Sequence, residues 1–127
     1  MATFTGLSRI GQIAVRVRDL ERAIRFYRDV LGLPFLFQFP QIAFFDAAGT
    51  WLYLTTFTEP EFDHPASILY FDVDDIHAAY DTLRGRGAEF VGEPHAVHRM
   101  EGKALWLAGF RDGEGNTYEL RSWKPTA

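Results

Sequence analysis

The first strongly patterned stretch of the chain alternates apolar and polar residues from Ile10 to Val17. A period of two predicts a β-strand. From Asp19, a residue type that often caps helices, apolar residues recur at helical spacing as far as Leu31. Gly32 then provides a residue suited to ending a helix. The chain is therefore predicted to open with a strand followed by a helix.

Three apolar runs separated by turn residues follow this helix, and each is short enough to be a strand. The predicted strands are Phe35–Phe39, Gln41–Asp46 and Trp51–Phe57. The next stretch, Thr58–Pro65, is polar and contains two prolines, which is typical of a linker. Residues 1–57 are thus predicted to form one βαβββ module, and residues 58–66 a linker.

The second half of the chain repeats this order. Val17 and Asp19 match Val73 and Asp75, and the turn Asp46-Ala-Ala-Gly49 matches Asp112-Gly-Glu-Gly115. A strand is predicted at Ile68–Val73, and a helix is predicted to begin after Asp75. Three further strands are predicted at Glu89–Val97, Ala104–Arg111 and Asn116–Trp123. Residues 67–127 are therefore predicted to form a second βαβββ module, and a duplicated unit of this size normally shares one core with its copy.

The predicted fold class is α+β, with two tandem βαβββ modules. Each module packs its helix on one face of its sheet, and the two uncovered faces are expected to form a concave mixed sheet with a shared cleft. Strand periodicity decides which side chains face this cleft. The residues predicted to line it are Gln12, Trp51, Tyr53, Ile68, Tyr70, His95 and Glu119, together with Trp106 and with Phe45 or its neighbour Phe44.

Composition narrows the classes of function. The 127-residue chain is long enough for one compact domain and carries twelve Phe, five Tyr and three Trp. A net charge of −4 argues against nucleic acid or an acidic membrane as the main partner. The sequence contains no cysteine, which excludes disulfides and thiolate chemistry. No apolar run is long enough to span a membrane, so a cytoplasmic location is expected.

Two motifs resemble those of a known superfamily. The stretch Ile10–Leu33 reads I-x-Q-I-A-V-x-V-x-D-L-x-R-A-x-x-F-Y-x-x-V-L-G-L, and the second module contains F-x-V-D-D-I and D-G-E-G-N-T-Y-E-L. This pattern is similar to the vicinal oxygen chelate superfamily, which includes glyoxalase I, extradiol dioxygenases and bleomycin resistance proteins. The resemblance spans nearly the whole chain, and it implies the fold more firmly than the function because this fold hosts many chemistries.

The resemblance also implies four positions at which enzymes of the superfamily bind a divalent metal. In this sequence they hold Gln12, Tyr53, Ile68 and Glu119. Isoleucine and a neutral phenol are unsuitable ligands for a hard divalent metal. No cofactor is therefore expected, and a metal, if present, would be held by Gln12 and Glu119.

Several interpretations of the individual residues stay open. Glu119 is either a catalytic base or a structural partner of Arg16 or Arg121. His95 and His98 are three residues apart, so they share a strand face only if a bulge intervenes. The aromatic residues either contact a ligand, pack on one another or close a dimer interface.

The function expected from these features is binding of a small, partly aromatic organic molecule, without the usual metal site of the superfamily. The alternative is an enzyme, either a lyase, an isomerase or a dioxygenase, that uses Glu119 as a base or metal ligand. A third possibility is a structural or regulatory dimer whose cleft is vestigial. In each case the exposed sheet edges and the surplus of aromatic residues favour a homodimer.

Overall fold

The structure is a computed structural model that describes residues 4–56 and 59–126. Its strands are β1 Gln12–Arg16, β2 Phe35–Phe39, β3 Ile42–Ala47, β4 Thr50–Thr55, β5 Leu69–Asp72, β6 Glu89–Phe90, β7 His95–Met100, β8 Lys103–Arg111 and β9 Thr117–Pro125. Helix α1 is Leu20–Arg25, continued by a π-helical turn over Phe26–Val30, and helix α2 is Ile76–Gly85. A short 3-10 turn occupies Pro60–Phe62.

Both helices begin where the sequence predicts. The Asp19 carboxylate accepts a hydrogen bond from the Arg22 amide, and the Asp75 carboxylate accepts from the amides of His77 and Ala78, each at 3.1 Å. These contacts satisfy amide groups that have no partner within the first turn of a helix. Within the described residues, neither helix has the length and apolar character needed to cross a bilayer.

The strands form two mixed sheets, which confirms the predicted α+β class. The first sheet has the order β1-β4-β3-β2, and the second has the order β5-β9-β8, with β6 and β7 both pairing with β8. In each sheet the first strand of the module runs parallel to the last strand, and the other pairs are antiparallel. The first sheet draws its strands from residues 12–55, and the second from residues 69–125.

One predicted strand is divided in two. The segment Glu89–Val97 was expected to be continuous, but β6 ends at Phe90 and β7 begins at His95. Gly92 and Pro94 lie in the break, and both residue types weaken a strand, proline because it has no amide hydrogen to donate. Phe57 and Thr58, where the predicted fourth strand ends and the linker begins, lie outside the described residues.

The helical segment formed by α1 and the following π-helical turn packs on both sheets. The ring of Tyr27, in the π-helical turn, lies 5.8 Å from that of Phe45 in β3 and 6.1 Å from that of Tyr118 in β9. All three residues belong to one continuous core built from both modules. The face of each sheet that packs against this core is called its covered face, and the opposite face is called its uncovered face. The uncovered face of each sheet is therefore on the side away from α1.

Buried polar residues in the β8–β9 turn, residues 112–116, connect the modules. One Asp112 oxygen accepts hydrogen bonds from the amides of Glu114 and Asn116, at 2.7 and 3.1 Å. Its other oxygen accepts from the hydroxyl of Tyr27 at 2.6 Å and from Nδ2 of Asn116 at 2.8 Å. Asp112 is 4% exposed, so water cannot readily replace it as the acceptor for these four donors.

Glu114 extends the same connection to the start of α1. Its carboxylate accepts hydrogen bonds from the amides of Arg18 and Asp19, at 2.6 and 3.3 Å, and pairs with the Arg22 guanidinium at 2.6 Å. Asn116 donates from Nδ2 to the carbonyl of Arg16 at 2.9 Å. The turn that the sequence predicts as a simple hairpin therefore forms a buried polar contact between the two modules.

Candidate functional site

Five aromatic rings cluster on the uncovered face of the first sheet. This aromatic cluster consists of Phe37, Phe39, Phe44, Trp51 and Tyr53. Phe44 lies at its centre, stacked on Tyr53 at 5.2 Å between ring centroids and edge-on to Trp51 at 5.5 Å. Trp51 remains 36% exposed and Phe39 55% exposed. A partly exposed aromatic surface of this kind suits contact with an aromatic molecule.

Polar residues border the aromatic cluster along β1. Gln12 is the register partner of Trp51, and Ala14 is the partner of Tyr53, so both lie on the same uncovered face. Arg16, two positions further, donates to the Asp63 carboxylate at 3.0 Å. The partner of Arg16 is therefore Asp63 in the segment between the modules, and not Glu119 as one interpretation of the sequence proposed.

Glu119 lies on the uncovered face of the second sheet, in a cavity of about 390 Å³. We call this the Glu119 cavity, and its lining includes Val91, Gly92, His95, Gly109, Thr117 and Glu119. Partial burial raises the pKa of the Glu119 carboxyl above its ordinary value, and the nearby His95 opposes this by a smaller amount. Burial removes water from a carboxyl group and raises its pKa, whereas a protonated imidazole nearby lowers it, so burial has the larger effect on Glu119.

The backbone of Gly109 provides the space for this carboxylate. Gly109 and Glu119 are register partners on adjacent strands. A Cβ atom at position 109 would lie 2.8 Å from Oε2 of Glu119, closer than such contacts occur. The sequence suggested no role for Gly109, since its effect depends on which residue the pairing of β8 and β9 places beside it.

A bulge in β7 brings two histidines to the same face. His95 pairs with Leu107 and His98 pairs with Leu105, and the register shifts between Ala96 and His98. In a regular strand, side chains three residues apart point to opposite faces. The extra residue in the bulge changes this alternation, so the two histidines point to the same face. His95 and His98 therefore both lie on the uncovered face of the second sheet, and His95 lines the Glu119 cavity.

The placement of two predicted site residues needs correction. Phe45 is fully buried on the covered face, where it contacts Tyr27, because strand alternation gives the uncovered position to Phe44. Trp106 also faces the helix side, with its ring 5.1 Å from that of His77 at the start of α2. Ile68 and Tyr70 are each 54% exposed, and Tyr70 is the register partner of Glu119.

Gln12 and Glu119 are not brought together within one chain. They lie on different sheets, and Gln12 does not line the Glu119 cavity. Tyr53 stacks on Phe44, and Ile68 offers no ligand atom. In the described ranges, no three His, Asp or Glu side chains are grouped so that they could hold a metal ion. Of the four positions implied by the resemblance, only Gln12 and Glu119 carry side chains that can ligate a divalent metal, so the residue types at these positions do not fit the metal of the superfamily.

Comparison with known proteins establishes the family. Residues 9–120 match the model of the Glyoxalase/Bleomycin resistance protein/Dioxygenase superfamily, and the chain belongs to this superfamily. Among curated relatives, the uncharacterized protein YraH of Bacillus subtilis is 32% identical, with 86% of this chain and 94% of YraH covered. The resemblance predicted from the two motifs is thereby confirmed.

Solved structures with the same fold have different functions. Lactoylglutathione lyase from Agrobacterium tumefaciens is 23% identical with a TM-score of 0.73, covering 92% of this chain and 95% of the lyase. TnmS3, an antibiotic binding protein from Streptomyces, is 24% identical with a TM-score of 0.71, covering 97% of this chain and all of TnmS3. At these identities the similarity establishes the fold alone.

Proposed function

We propose that this protein binds a small, partly aromatic organic molecule, and that it does so without the metal used by enzymes of its superfamily. The observation that carries this proposal is the aromatic cluster on the first sheet. Contiguous exposed apolar surface is uncommon on a protein with no partner and often marks a binding site. The antibiotic-binding role of TnmS3, a protein of the same fold, supports this type of function.

The ligand contacts divide between the two uncovered faces. The aromatic cluster supplies apolar contact area, and Gln12 provides an amide beside Trp51 for hydrogen bonding. Glu119 supplies the second polar contact, from the other sheet. The role of Gln12 and Glu119 in this proposal is recognition of polar groups on the ligand, in place of metal ligation.

A homodimer would allow these two surfaces to act together. Within one chain the uncovered faces are on the far sides of their sheets from α1, but the first sheet of one chain can face the second sheet of a partner. The exposed side chains of Phe4, Leu7 and Ile10, which are 64–96% exposed, add apolar surface that association would cover. Sedimentation equilibrium tests this, since a mass of one chain at micromolar concentration would contradict it.

The second candidate is an enzyme that uses Glu119 as a general base, and the observation that favours it is the desolvated carboxyl of Glu119. A carboxyl whose pKa is raised by burial binds a proton more readily than an exposed one. Mass spectrometry of the bound compound after incubation separates the two functions. Recovery of the compound unchanged supports binding, and conversion that stops in the Glu119→Gln variant supports catalysis.

Thermal unfolding in the presence of a panel of planar aromatic compounds tests the binding function. A ligand that binds only the native state raises the unfolding temperature as its concentration increases. For a compound that does so, Trp51→Ala is expected to weaken binding by about tenfold to a hundredfold, because a truncated aromatic contact typically costs ~1.5–3 kcal/mol.

The matched control is Phe62→Ala, which removes an exposed aromatic residue from the short turn Pro60–Phe62, outside the aromatic cluster. This variant is expected to bind as the wild type does. Equal affinity of the wild type and Trp51→Ala for every stabilising compound would contradict the proposed role of the aromatic cluster.

A further inference from the structure

The Glu119 carboxylate is unusual among the partly buried acidic groups because no salt bridge joins it to a described residue, and His95, when protonated, acts on it only through its charge. The two arginines that the sequence suggested as partners are engaged elsewhere: Arg16 with Asp63 at 3.0 Å, and Arg121 with Asp72 at 2.6 Å. No hydrogen bond joins the Glu119 carboxylate to another described residue. A partly desolvated carboxylate without a hydrogen-bond partner is stabilised when a hydrogen-bond donor of a ligand enters the cavity beside it.

His95 adds a second acceptor to the Glu119 cavity. Its Nδ1 lies 3.1 Å from the carbonyl oxygen of Glu93. A carbonyl oxygen only accepts hydrogen bonds, so Nδ1 of His95 carries the hydrogen in this contact. In the neutral ring, Nε2 is then the unprotonated nitrogen and accepts a hydrogen bond. The neutral side chain therefore offers an acceptor to the same cavity as the Glu119 carboxylate.

Gly109 fixes where the first acceptor sits. The carboxylate of Glu119 lies over the backbone of Gly109, in space that any other side chain would occupy. Gly109 does not have a positive φ angle, so its backbone conformation is open to any residue. The absence of a side chain at position 109 therefore leaves space for the Glu119 carboxylate, and the strand conformation does not require it.

Apart from Glu119 and the titratable His95, the charged side chains of the lining are one cation, Arg111, and one anion, Glu93, so their formal charges balance. Arg111 is the cationic residue in the lining, and its guanidinium lies 3.9 Å from the Glu89 carboxylate. Glu93 adds a second acidic residue to the lining. An ammonium group has three donors and no acceptor, so it matches an acceptor-rich site better than a hydroxyl or a carboxylate does.

The geometry points to the Glu119 cavity as a subsite for an organic ammonium group, with Gly109 as the residue that positions the Glu119 carboxylate and His95 as the second acceptor. This inference rests on the proposed ligand-binding function and specifies its chemistry. The ligand is then an aromatic molecule that carries an amine, and its ammonium group binds in the Glu119 cavity.

Three indoles with side chains of matched length test this inference: tryptamine with an ammonium, tryptophol with a hydroxyl, and indole-3-propionate with a carboxylate. Their affinities are measured by NMR titration of the full-length protein. Tryptamine is expected to bind about tenfold more tightly than tryptophol, the ratio that one charge-assisted hydrogen bond provides. The amide signals of Gly109 and Gly92 are expected to move with tryptamine in particular.

Two variants and a matched glycine control locate the preference. Glu119→Gln keeps the shape of the side chain and removes its charge, and Gly109→Ala displaces the carboxylate without removing it. Both are expected to abolish the tenfold preference for tryptamine. Gly85→Ala, in α2, meets no atom within 4 Å and is expected to keep the preference. The unfolding temperature of each variant verifies that it remains folded.

The outcomes separate this subsite from the proposed function. Equal affinity for the three indoles, or a preference for indole-3-propionate, overturns the ammonium subsite and leaves aromatic binding intact. A tryptamine preference that survives both Glu119→Gln and Gly109→Ala also overturns it. If none of the three indoles binds at millimolar concentration, both the subsite and the aromatic binding surface are contradicted.

Discussion

Replacement of Asp112 by alanine is expected to lower the free energy of unfolding by about 3–5 kcal/mol, because it leaves several buried donors without a partner. The hydroxyl of Tyr27, the amides of Glu114 and Asn116, and Nδ2 of Asn116 all donate to this carboxylate. The loss is large because these groups belong to both modules, so it weakens the contact between them. Urea unfolding followed by circular dichroism measures it.

Two further variants define the origin of this effect. Asp112→Asn keeps one acceptor oxygen but presents an NH₂ group to donors, so its loss is expected to be smaller than that of alanine. Asp81→Ala removes an exposed carboxylate from α2 and is expected to change stability by less than about 0.5 kcal/mol. A loss below about 1 kcal/mol for Asp112→Ala would show that the polar network does not hold the modules together.

Alkaline solution is expected to destabilise the protein steeply, because two buried tyrosine hydroxyls share one hydrogen bond. Tyr27 and Tyr118 are fully buried, and their hydroxyl oxygens are 2.6 Å apart. Burial raises the pKa of both phenols, and the neighbouring Asp112 raises them further. Each native phenol therefore keeps its proton at a pH at which the same phenol in the unfolded chain has lost it.

This difference fixes the direction and the pH window of the effect. The stability that the two neutral phenols contribute is fully present below pH ~10, the ordinary tyrosine pKa, and is lost as the pH rises above it. With two such groups the free energy of unfolding is expected to fall by about 2.7 kcal/mol per pH unit between pH 10.5 and 11.5. Urea unfolding at a series of pH values measures this slope.

The variant Tyr118→Phe removes one of the two titrating groups. Its slope above pH 10.5 is expected to be about half that of the wild type, because one phenol remains. This comparison isolates the tyrosines from the two lysines of the chain, which are identical in both proteins. Equal slopes for the wild type and Tyr118→Phe would mean that the buried hydroxyl pair does not control alkaline stability.

Periodicity and helix caps are local features, and they allowed the two modules to be predicted from the sequence. Asp19 and Asp75 begin helices, and the strands of each module lie close to their expected positions. These features depend on neighbours within one turn or on alternation along one strand. The internal duplication then indicated that both halves share an architecture, and the two mixed sheets agree with it.

The site was harder to predict because bulges redirect side chains. A register shift between Phe35 and Phe37 places Phe35 against the buried Phe45, while Phe37 joins the aromatic cluster. The bulge in β7 likewise places His95 and His98 on one face. Whether a strand contains an extra residue is decided by its pairing with a neighbour, and strict alternation gives the wrong face beyond that point.

Long-range contacts were the other part that the sequence did not indicate. The residues of the β8–β9 turn have the composition of an ordinary hairpin, yet Asp112, Glu114 and Asn116 are all buried. Their partners lie 85–100 residues away in the sequence. The sequence contained one signal of this burial. Asp112, Glu114 and Asn116 are polar residues at alternate positions, a pattern that a solvent-exposed turn does not require.

The affinity of a stabilising planar aromatic compound, measured by calorimetry with and without a metal chelator, tests the central claim most directly. The claim is that the protein binds an organic molecule through its aromatic cluster and its polar side chains, with no contribution from a divalent metal. We expect the same affinity in both conditions, and a weaker one in Trp51→Ala. Binding that is lost on chelation and restored by a stoichiometric divalent metal would contradict this account.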